Sequence, residues 1–433
     1  MKRSSTILIL SGVIIILAAA LVGTLLFIKN QPAPERGIAP LVVIAPMEPD
    51  SSKWGVNFPN QYSTLQLTLT NKARTTYAGS EPFSHLEEDP RQVTLFSGYP
   101  FSIDYNDDRG HLNSLTDVRA TKRVNEKTAG TCYSCKSSDN PHLWTEMGMA
   151  EFDKTLFKDL GAKIENPIGC ANCHEANTMR LIVTNPALKE ALEAQGKDWT
   201  TFTRQEMRTV VCANCHVEYY FAGEGKYLTF PWSGGTKIEN IAQYYIDEGF
   251  KDWDHEMSGA PMIKMQHPEY EFFTADSTHY NAGVACADCH MPYTRDGAAK
   301  FSTHDVKSPL LNADTACGAC HTDVAYVTGR VAIIQKQVND TKLATEDAIV
   351  AAIQTIKAAA AAPDVNPDVL SEARNLHREA QLRWDFVSAE NSMGFHNPEE
   401  ALRILANATD LARQAQIKAI EAAGTPAVIE ASN

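Results

Sequence analysis

The sequence predicts a mainly α protein with little β: a compact body of short helices and loops wrapped around bound groups, followed by long helices at the C-terminus. Three observations carry this. All ten cysteines fall into five C-x-x-C pairs, four followed by histidine and one by lysine. The gaps between the pairs, over residues 131–322, are rich in Gly, Pro and Asn and hold few long periodic segments. From residue 323 the character changes: Val324, Val327, Val331, Ile334 and Val338 recur at 3-4-3-4 spacing, the seam of a helix that packs on another helix.

C-x-x-C-H is the attachment signal for c-type haem: the two thiols form thioethers to the porphyrin and the histidine ligates iron from one face. The motifs are Cys132/Cys135-Lys136, Cys170/Cys173-His174, Cys212/Cys215-His216, Cys286/Cys289-His290 and Cys317/Cys320-His321. They predict five covalent haems, of which the first is unlike the others and is the candidate for chemistry. Zinc ribbons use two C-x-x-C pairs per metal and need no histidine directly after the second cysteine, so five such pairs argue against them. Dithiol redox motifs fail on the same grounds. The 433 residues could make two or three ordinary domains and the 44% hydrophobic content is ordinary, but five macrocycles filling the interior favour one unit. A formal charge of −14 argues against nucleic acid and requires that any anionic substrate meet a locally positive cleft.

In chain order, residues 1–30 open with Lys2 and Arg3 and carry an apolar run from Ile7 to Ile28, long enough to span a bilayer. Ala18–Ala20 offers a signal-peptidase site, yet the run continues past it, which favours an uncleaved anchor over a cleaved signal. Either way the body is placed outside the inner membrane. Residues 31–50 hold Pro32, Pro34, Pro40, Pro46 and Pro49 and read as a semi-rigid linker. Residues 51–322 form the haem-bearing region. Its first part has alternating Leu65, Leu67 and Leu69, a weak strand signal, then a polar loop from Asp104 to Gly110 and a basic cluster of Arg119, Lys122 and Arg123. Residues 323–433 read as three long helices. The first ends before Pro363, and Asn366-Pro367 and Asn397-Pro398-Glu399-Glu400 supply cap and N1 proline for the second and third. These helices either cover the haem region or make a dimer interface, the seam favouring the latter.

Four ordinary haems acting as electron relays need a second axial ligand each. Nine histidines lie outside the motifs: His85, His111, His142, His255, His267, His279, His304, His377 and His396. Spacing alone does not choose among them. Lys136 must ligate as a neutral amine, so burial and iron together have to displace a proton whose ordinary pKa is about 10.4. A lysine-ligated haem with an open far side could bind and reduce a small molecule.

Thr131-Cys132-Tyr133-Ser134-Cys135-Lys136 followed by four C-x-x-C-H motifs resembles the pentahaem, ammonia-forming cytochrome c nitrite reductases (catalytic subunit). Cys212 to Tyr220, Lys264 to Tyr270, Arg109-Gly110-His111 and Arg383-Trp384-Asp385 are similar to segments of that family, and the likeness covers roughly residues 51–425. The resemblance implies that Lys136 is the proximal ligand of the active-site haem and that Arg123, Tyr219 and His267 line its distal pocket, Arg119 being the alternative arginine. It implies His174, His216, His290 and His321 as proximal ligands of haems two to five, with His304, His111, His396 and His279 as their respective distal ligands. It further implies one calcium ion on Glu218, the Tyr219 and Lys264 carbonyls and the Gln266 side chain. His85, His142, His255 and His377 are left without a role. The activity implied is six-electron reduction of nitrite to ammonium, fed by a membrane multihaem quinol dehydrogenase. The periplasmic location and N-terminal anchor are expected from the apolar run, where the anchor is a variation on the family, and the homodimer from the helical seam. A non-catalytic electron carrier, or the same scaffold acting mainly on hydroxylamine or sulfite, are the alternatives.

Overall fold

The computed structural model describes residues 40–77, 79–107 and 109–424, together with 14, 16, 17 and 20–24. The chain divides into two units, Met1–Leu41 and Val42–Asn433. In the first, the described residues up to position 24 are helical and exposed. Most of the apolar run read as an anchor lies outside the described residues, and among those described no helix is long and apolar enough to cross a membrane.

The second unit begins with a segment that packs on its neighbours. Ile44 is buried with Trp54, Ala171 and Ala176, and the Trp54 indole N–H donates to the Glu48 carbonyl at 2.8 Å. The helix Pro59–Thr70 follows, opened by a proline at its first position. It takes the place of the strand expected from Leu65, Leu67 and Leu69. Leu65 is buried at 5% exposure while Leu67 and Leu69 are each 49% exposed, so the three leucines do not share a face. Alternation over five residues is also compatible with a helix, and the flanking chain decides it.

Through residue 322 the body is built from short helices, tight turns and three two-stranded antiparallel pairs: Tyr220–Ala222 with Tyr227–Thr229, Trp253–Asp254 with Pro261–Met262, and Tyr293–Asp296 with Ala299–Ser302. The three long helices are Val324–Ala360, Pro367–Ser388 and Pro398–Ala422. Their starts follow the cap chemistry of the sequence: Asn366 accepts from the Asp368 and Val369 amides, and Asn397 from the Glu400 amide. They pack on one another through small residues, with Ala408, Ala412, Ala415 and Ala419 of the third helix fully buried. Of the first helix's seam, Val331 and Val338 are buried within the chain's own packing.

Two apolar clusters fill the body. One joins Tyr133, Phe152, Leu160 and Trp232 around the first motif. The other joins Phe96, Tyr245 and Trp253 to Trp384 and Ile353 of the long helices, so helices and haem-bearing region share one core.

Candidate haem-binding and active site

Each motif occupies a single tight helical turn. The amides of His174, His216 and His321 donate to the carbonyl of the first cysteine of their motif at 2.9–3.0 Å. That bond brings the histidine round one turn, so thiols and imidazole converge on one side. At the first motif the Lys136 amide donates instead to the Tyr133 carbonyl at 2.9 Å, a turn one residue tighter. Asn140, fully buried, ties this turn down through the Tyr133 and Ser134 carbonyls.

The motifs are also ordered in space. Cys135 of the first lies within hydrogen-bonding reach of Cys215 of the third, and Cys212 of the third within reach of Cys286 of the fourth. Cys289 of the fourth neighbours Cys317 of the fifth, and Cys173 of the second neighbours Cys215. The third motif thus neighbours the first, second and fourth, and the fourth neighbours the fifth.

Cys320 stands apart from the other motif cysteines. The other nine motif cysteines are half-buried, whereas Cys320 is exposed. The physical reason is the position of its turn. Residues 318–323 form an exposed corner between the short helix Ala313–Ala316 and the first long helix, with no described residue covering them. Cys320 remains close enough to Cys289 to act on its thiol, so the fifth motif keeps its place in the series but stands at the rim of the body.

An imidazole–metal bond of about 2 Å, with about 1 Å more to the ring centre, sets two trans imidazoles roughly 6 Å apart, centre to centre. His174 and His304 stand 6.2 Å apart, His290 and His396 6.1 Å, and His279 and His321 6.4 Å. These residues therefore fit iron held between histidines. His216 has two histidines nearby. His267 is at a ring separation of 6.5 Å, and His111 is close enough to feel its charge. Burial lowers His111, His290 and His304 to about 4, neighbouring histidines adding to it. They are thus neutral, the form that binds a metal.

Around the first motif, the Arg123 guanidinium lies 4.0 Å over the Phe101 ring and its Nε donates to the Thr121 hydroxyl at 3.1 Å. Phe101 in turn stacks on Tyr99, and Tyr99 on Trp253. Arg123 also acts on Cys132 and Tyr219, which places it near the first thiol of that motif. Burial, then the nearby Cys135 and Cys132, pushes the Tyr219 phenol well above its ordinary value, so it stays an O–H donor. His267 Nδ1 lies 4.0 Å from Glu269 Oε1, an oxygen that also accepts from the Asn391 amide at 2.6 Å. Arg119 lies 5.9 Å from the Tyr133 ring centre, but its donors are taken up by the Gly161 and Ile164 carbonyls at 3.2 and 2.6 Å.

The residues expected to hold calcium are together. Glu218 is fully buried, and its two carboxylate oxygens accept from the Tyr245 hydroxyl at 2.8 Å and the Gln266 amide at 2.6 Å. The Gln266 side-chain nitrogen lies 2.9 Å from the Lys264 carbonyl oxygen. Turning that amide would set its oxygen beside the Lys264 carbonyl and the Glu218 carboxylate, an all-oxygen group that suits calcium. Tyr219 follows Glu218 directly. Beneath it the Lys264 ammonium is buried on Asp385 at 2.8 Å, and Asp385 also accepts from the Met265 amide at 2.9 Å.

Several residues that shape the site carried no sequence signal of their own. Phe101, under Arg123, and Glu390, beside His396, are two of them, while Asp385 and Glu269 fell inside the family-like segments without a role assigned. Of the four histidines left without a role, His255 and His377 are a buried pair with rings 5.2 Å apart, His85 packs on Tyr105, and His142 is exposed beside Glu146.

A family model described as cytochrome c552 matches residues 50–433. A cytochrome c-552 of Parabacteroides distasonis is 42% identical over 385 residues, covering 86% of this chain and 77% of that relative. One of Bacteroides fragilis is 40% identical over 386 residues, covering 87% and 78%. Among solved structures, a cytochrome c nitrite reductase from Desulfovibrio desulfuricans, described for the two calcium sites of its catalytic subunit, superposes with a TM-score of 0.84 at 36% identity, covering 88% of each chain. With five haem-attachment turns, facing histidine pairs and a match over nearly the whole body, the chain belongs to the cytochrome c552 family.

Proposed function

We propose that this protein is an ammonia-forming nitrite reductase carrying five covalent haems and one calcium ion. Its active site is the lysine-terminated first motif. The observation that carries the reading is an asymmetry. Three of the histidine motifs sit in pairs 6.1–6.4 Å apart, whereas the first ends in Lys136 and has Arg123 and Tyr219 crowded on its thiols. The likeness to the Desulfovibrio enzyme supports it.

In this reading His174/His304, His216/His111, His290/His396 and His321/His279 hold haems two to five, and Lys136 Nζ, having lost its proton, holds haem one. When bound, haem one supplies the iron that takes the nitrite nitrogen and passes on electrons. The chain's own residues do the rest. The Arg123 guanidinium donates to the nitrite oxygens and gives the anion a local positive field in an acidic protein. His267 delivers protons as the N–O bonds break, oriented by Glu269. Tyr219 donates a hydrogen bond from a phenol that burial keeps protonated. Six electrons and eight protons convert nitrite to ammonium and two waters, so electron supply through the third motif and proton supply through His267 must both reach one pocket. Glu218, the Tyr219 and Lys264 carbonyls and Gln266 hold calcium behind Tyr219, fixing the loop that carries it.

We place the protein outside the inner membrane, taking electrons from a membrane quinol-oxidising multihaem cytochrome. We read it as a homodimer through the long-helix region, where Tyr326 and Ile333 are 66% and 55% exposed. The test is ammonium released per nitrite consumed by haem-loaded protein with a reduced dye as donor. A ratio near one is expected. Intact, reducible haems with no nitrite consumption would select the electron-carrier reading, and faster turnover of hydroxylamine or sulfite than of nitrite would select the other alternative.

A further inference from the structure

The ring nitrogen of an axial histidine that faces away from the metal also has a partner, and that partner sets how strongly the ligand donates. Here the partners differ between haems. His174 Nδ1 and His304 Nδ1, the pair of haem two, donate to the backbone carbonyls of Met179 and Ser302, each at 3.0 Å. His290 Nδ1, on haem four, donates to the Lys307 carbonyl at 3.1 Å. The other ligand of haem four is unlike these: His396 Nδ1 lies 2.5 Å from the Glu390 carboxylate. Glu269 is a second carboxylate near an axial histidine among the described residues, but it stands 3.7 Å from His216 Nδ1 and is shared with Asn391 and His267.

Glu390 is held in place for this contact. Its side chain is fully buried, and its two oxygens accept from the Ser392 amide at 3.0 Å and the Gly394 amide at 3.1 Å. Gly394 has a φ of +77°, and a Cβ there would lie 2.8 Å from the Val338 methyls, so only glycine lets this loop close under the first long helix. The Ser392 hydroxyl in turn accepts from the His396 amide at 2.8 Å. The loop from Glu390 to His396 therefore presents one buried carboxylate to one imidazole.

We propose that Glu390 is a positioning residue that lowers the reduction potential of haem four through His396. A carboxylate is a stronger acceptor than a carbonyl and draws the Nδ1 proton, which makes the opposite nitrogen a better donor to iron. A better donor stabilises ferric over ferrous iron, and hydrogen bonding beyond the ligand is one of the protein's levers on haem potential. Haem four lies between the third and fifth motifs, Cys286 beside Cys212 and Cys289 beside Cys317. A reducing group at that position drives its electron onward to the haem of the third motif. The step moves one electron from ferrous haem four to ferric haem three, breaks no bond and leaves the Nδ1 proton on His396.

The inference rests on the axial pairing proposed above. The test is a potentiometric titration of the holoprotein, followed by optical and electron paramagnetic spectra, for the unaltered chain and for Glu390→Gln. In Glu390→Gln one of five transitions should move positive by about tenfold in the oxidised-to-reduced ratio at fixed potential, ~59 mV for one electron, the other four staying in place. Should that variant fail to load five haems, Glu390→Asp, which keeps the charge at longer reach, should move the same transition by a smaller amount. An unmoved transition, or all five moving together, overturns the proposal. Fewer than four bis-histidine low-spin signals in the unaltered protein would overturn the axial pairing itself, which separates the two failures.

Discussion

Arg119 and Arg123 come from the same basic stretch but lie in different surroundings. The guanidinium of Arg119 is spent on two carbonyls, while that of Arg123 is held flat on Phe101 beside the first motif. Asp104 explains the turn between them: its carboxylate accepts from the Thr121 hydroxyl at 2.8 Å and the Lys122 amide at 2.7 Å, stopping the helix Ser114–Ala120 and redirecting the chain. Charged hydrogen bonds contribute about 1.5–3 kcal/mol, so Arg123→Leu should raise the KM for nitrite by roughly ten- to a hundredfold. It should also weaken the nitrite-induced change in the haem spectrum to the same extent. Arg119→Leu should leave that spectral titration in place and lower Tm instead, because it strips donors from two carbonyls. An equal loss of nitrite affinity in both variants would remove the distinction.

At the scale of the element, what was legible was local. Asn366-Pro367 and Asn397-Pro398 mark helix starts because a short side-chain acceptor and a fixed φ do their work within three residues. Asn366→Ala should cost about 1 kcal/mol, seen as a lower denaturant midpoint with unchanged slope. The C-x-x-C turns were legible for the same reason, thiols and ligand lying within one helical turn. How deep each turn sits was not, and Cys320 shows why: its motif reads like the other histidine motifs, and only the packing leaves it at the rim. Leu65, Leu67 and Leu69 were misleading: alternation over five residues fits either period, and the proline that starts the helix lies six residues upstream. The histidine pairs required the family resemblance, since nothing near His174 in sequence points to His304. Glu390 was out of reach altogether, because a carboxylate acquires meaning only when a loop closes it on a ligand.

For the whole molecule, one part of the join between the haem-bearing body and the long helices, beside the buried Lys264–Asp385 pair, is a set of polar groups buried without charge. Gln381 donates to the Leu95 carbonyl at 2.6 Å and accepts from His377 Nε2 at 3.0 Å. His377 Nδ1 accepts from the Ser258 hydroxyl at 3.0 Å. His255 lies against the same ring and donates to the Thr94 carbonyl at 2.9 Å. Arg374 and Arg378 are nearby cations, donating to the Ser258 carbonyl at 2.8 Å and to the Pro261 and Phe250 carbonyls at 2.8 and 2.7 Å. This network has one consistent set of protons, and it needs His377 neutral. Burial, with the charge of His255 adding to it, lowers His377 to about 3. The unfolded chain would take up that proton at about 6.5, so between these values the unfolded state binds more protons and stability rises with pH. The contribution is whole above about pH 6.5 and drains away as pH drops toward 3. His377→Gln keeps a hydrogen-bonding side chain but cannot titrate. At pH 7 it should be the less stable protein, having lost shape and one partner. On acidification to pH 4 the unaltered chain should lose up to about 3 kcal/mol that the variant keeps, at 1.36 kcal/mol per pH unit. Their denaturant midpoints should therefore converge, other titrating groups, His255 among them, being common to both. A gap that stays constant from pH 7 to pH 4 would mean that His377 carries its charge in the folded protein and that the join is held by other groups.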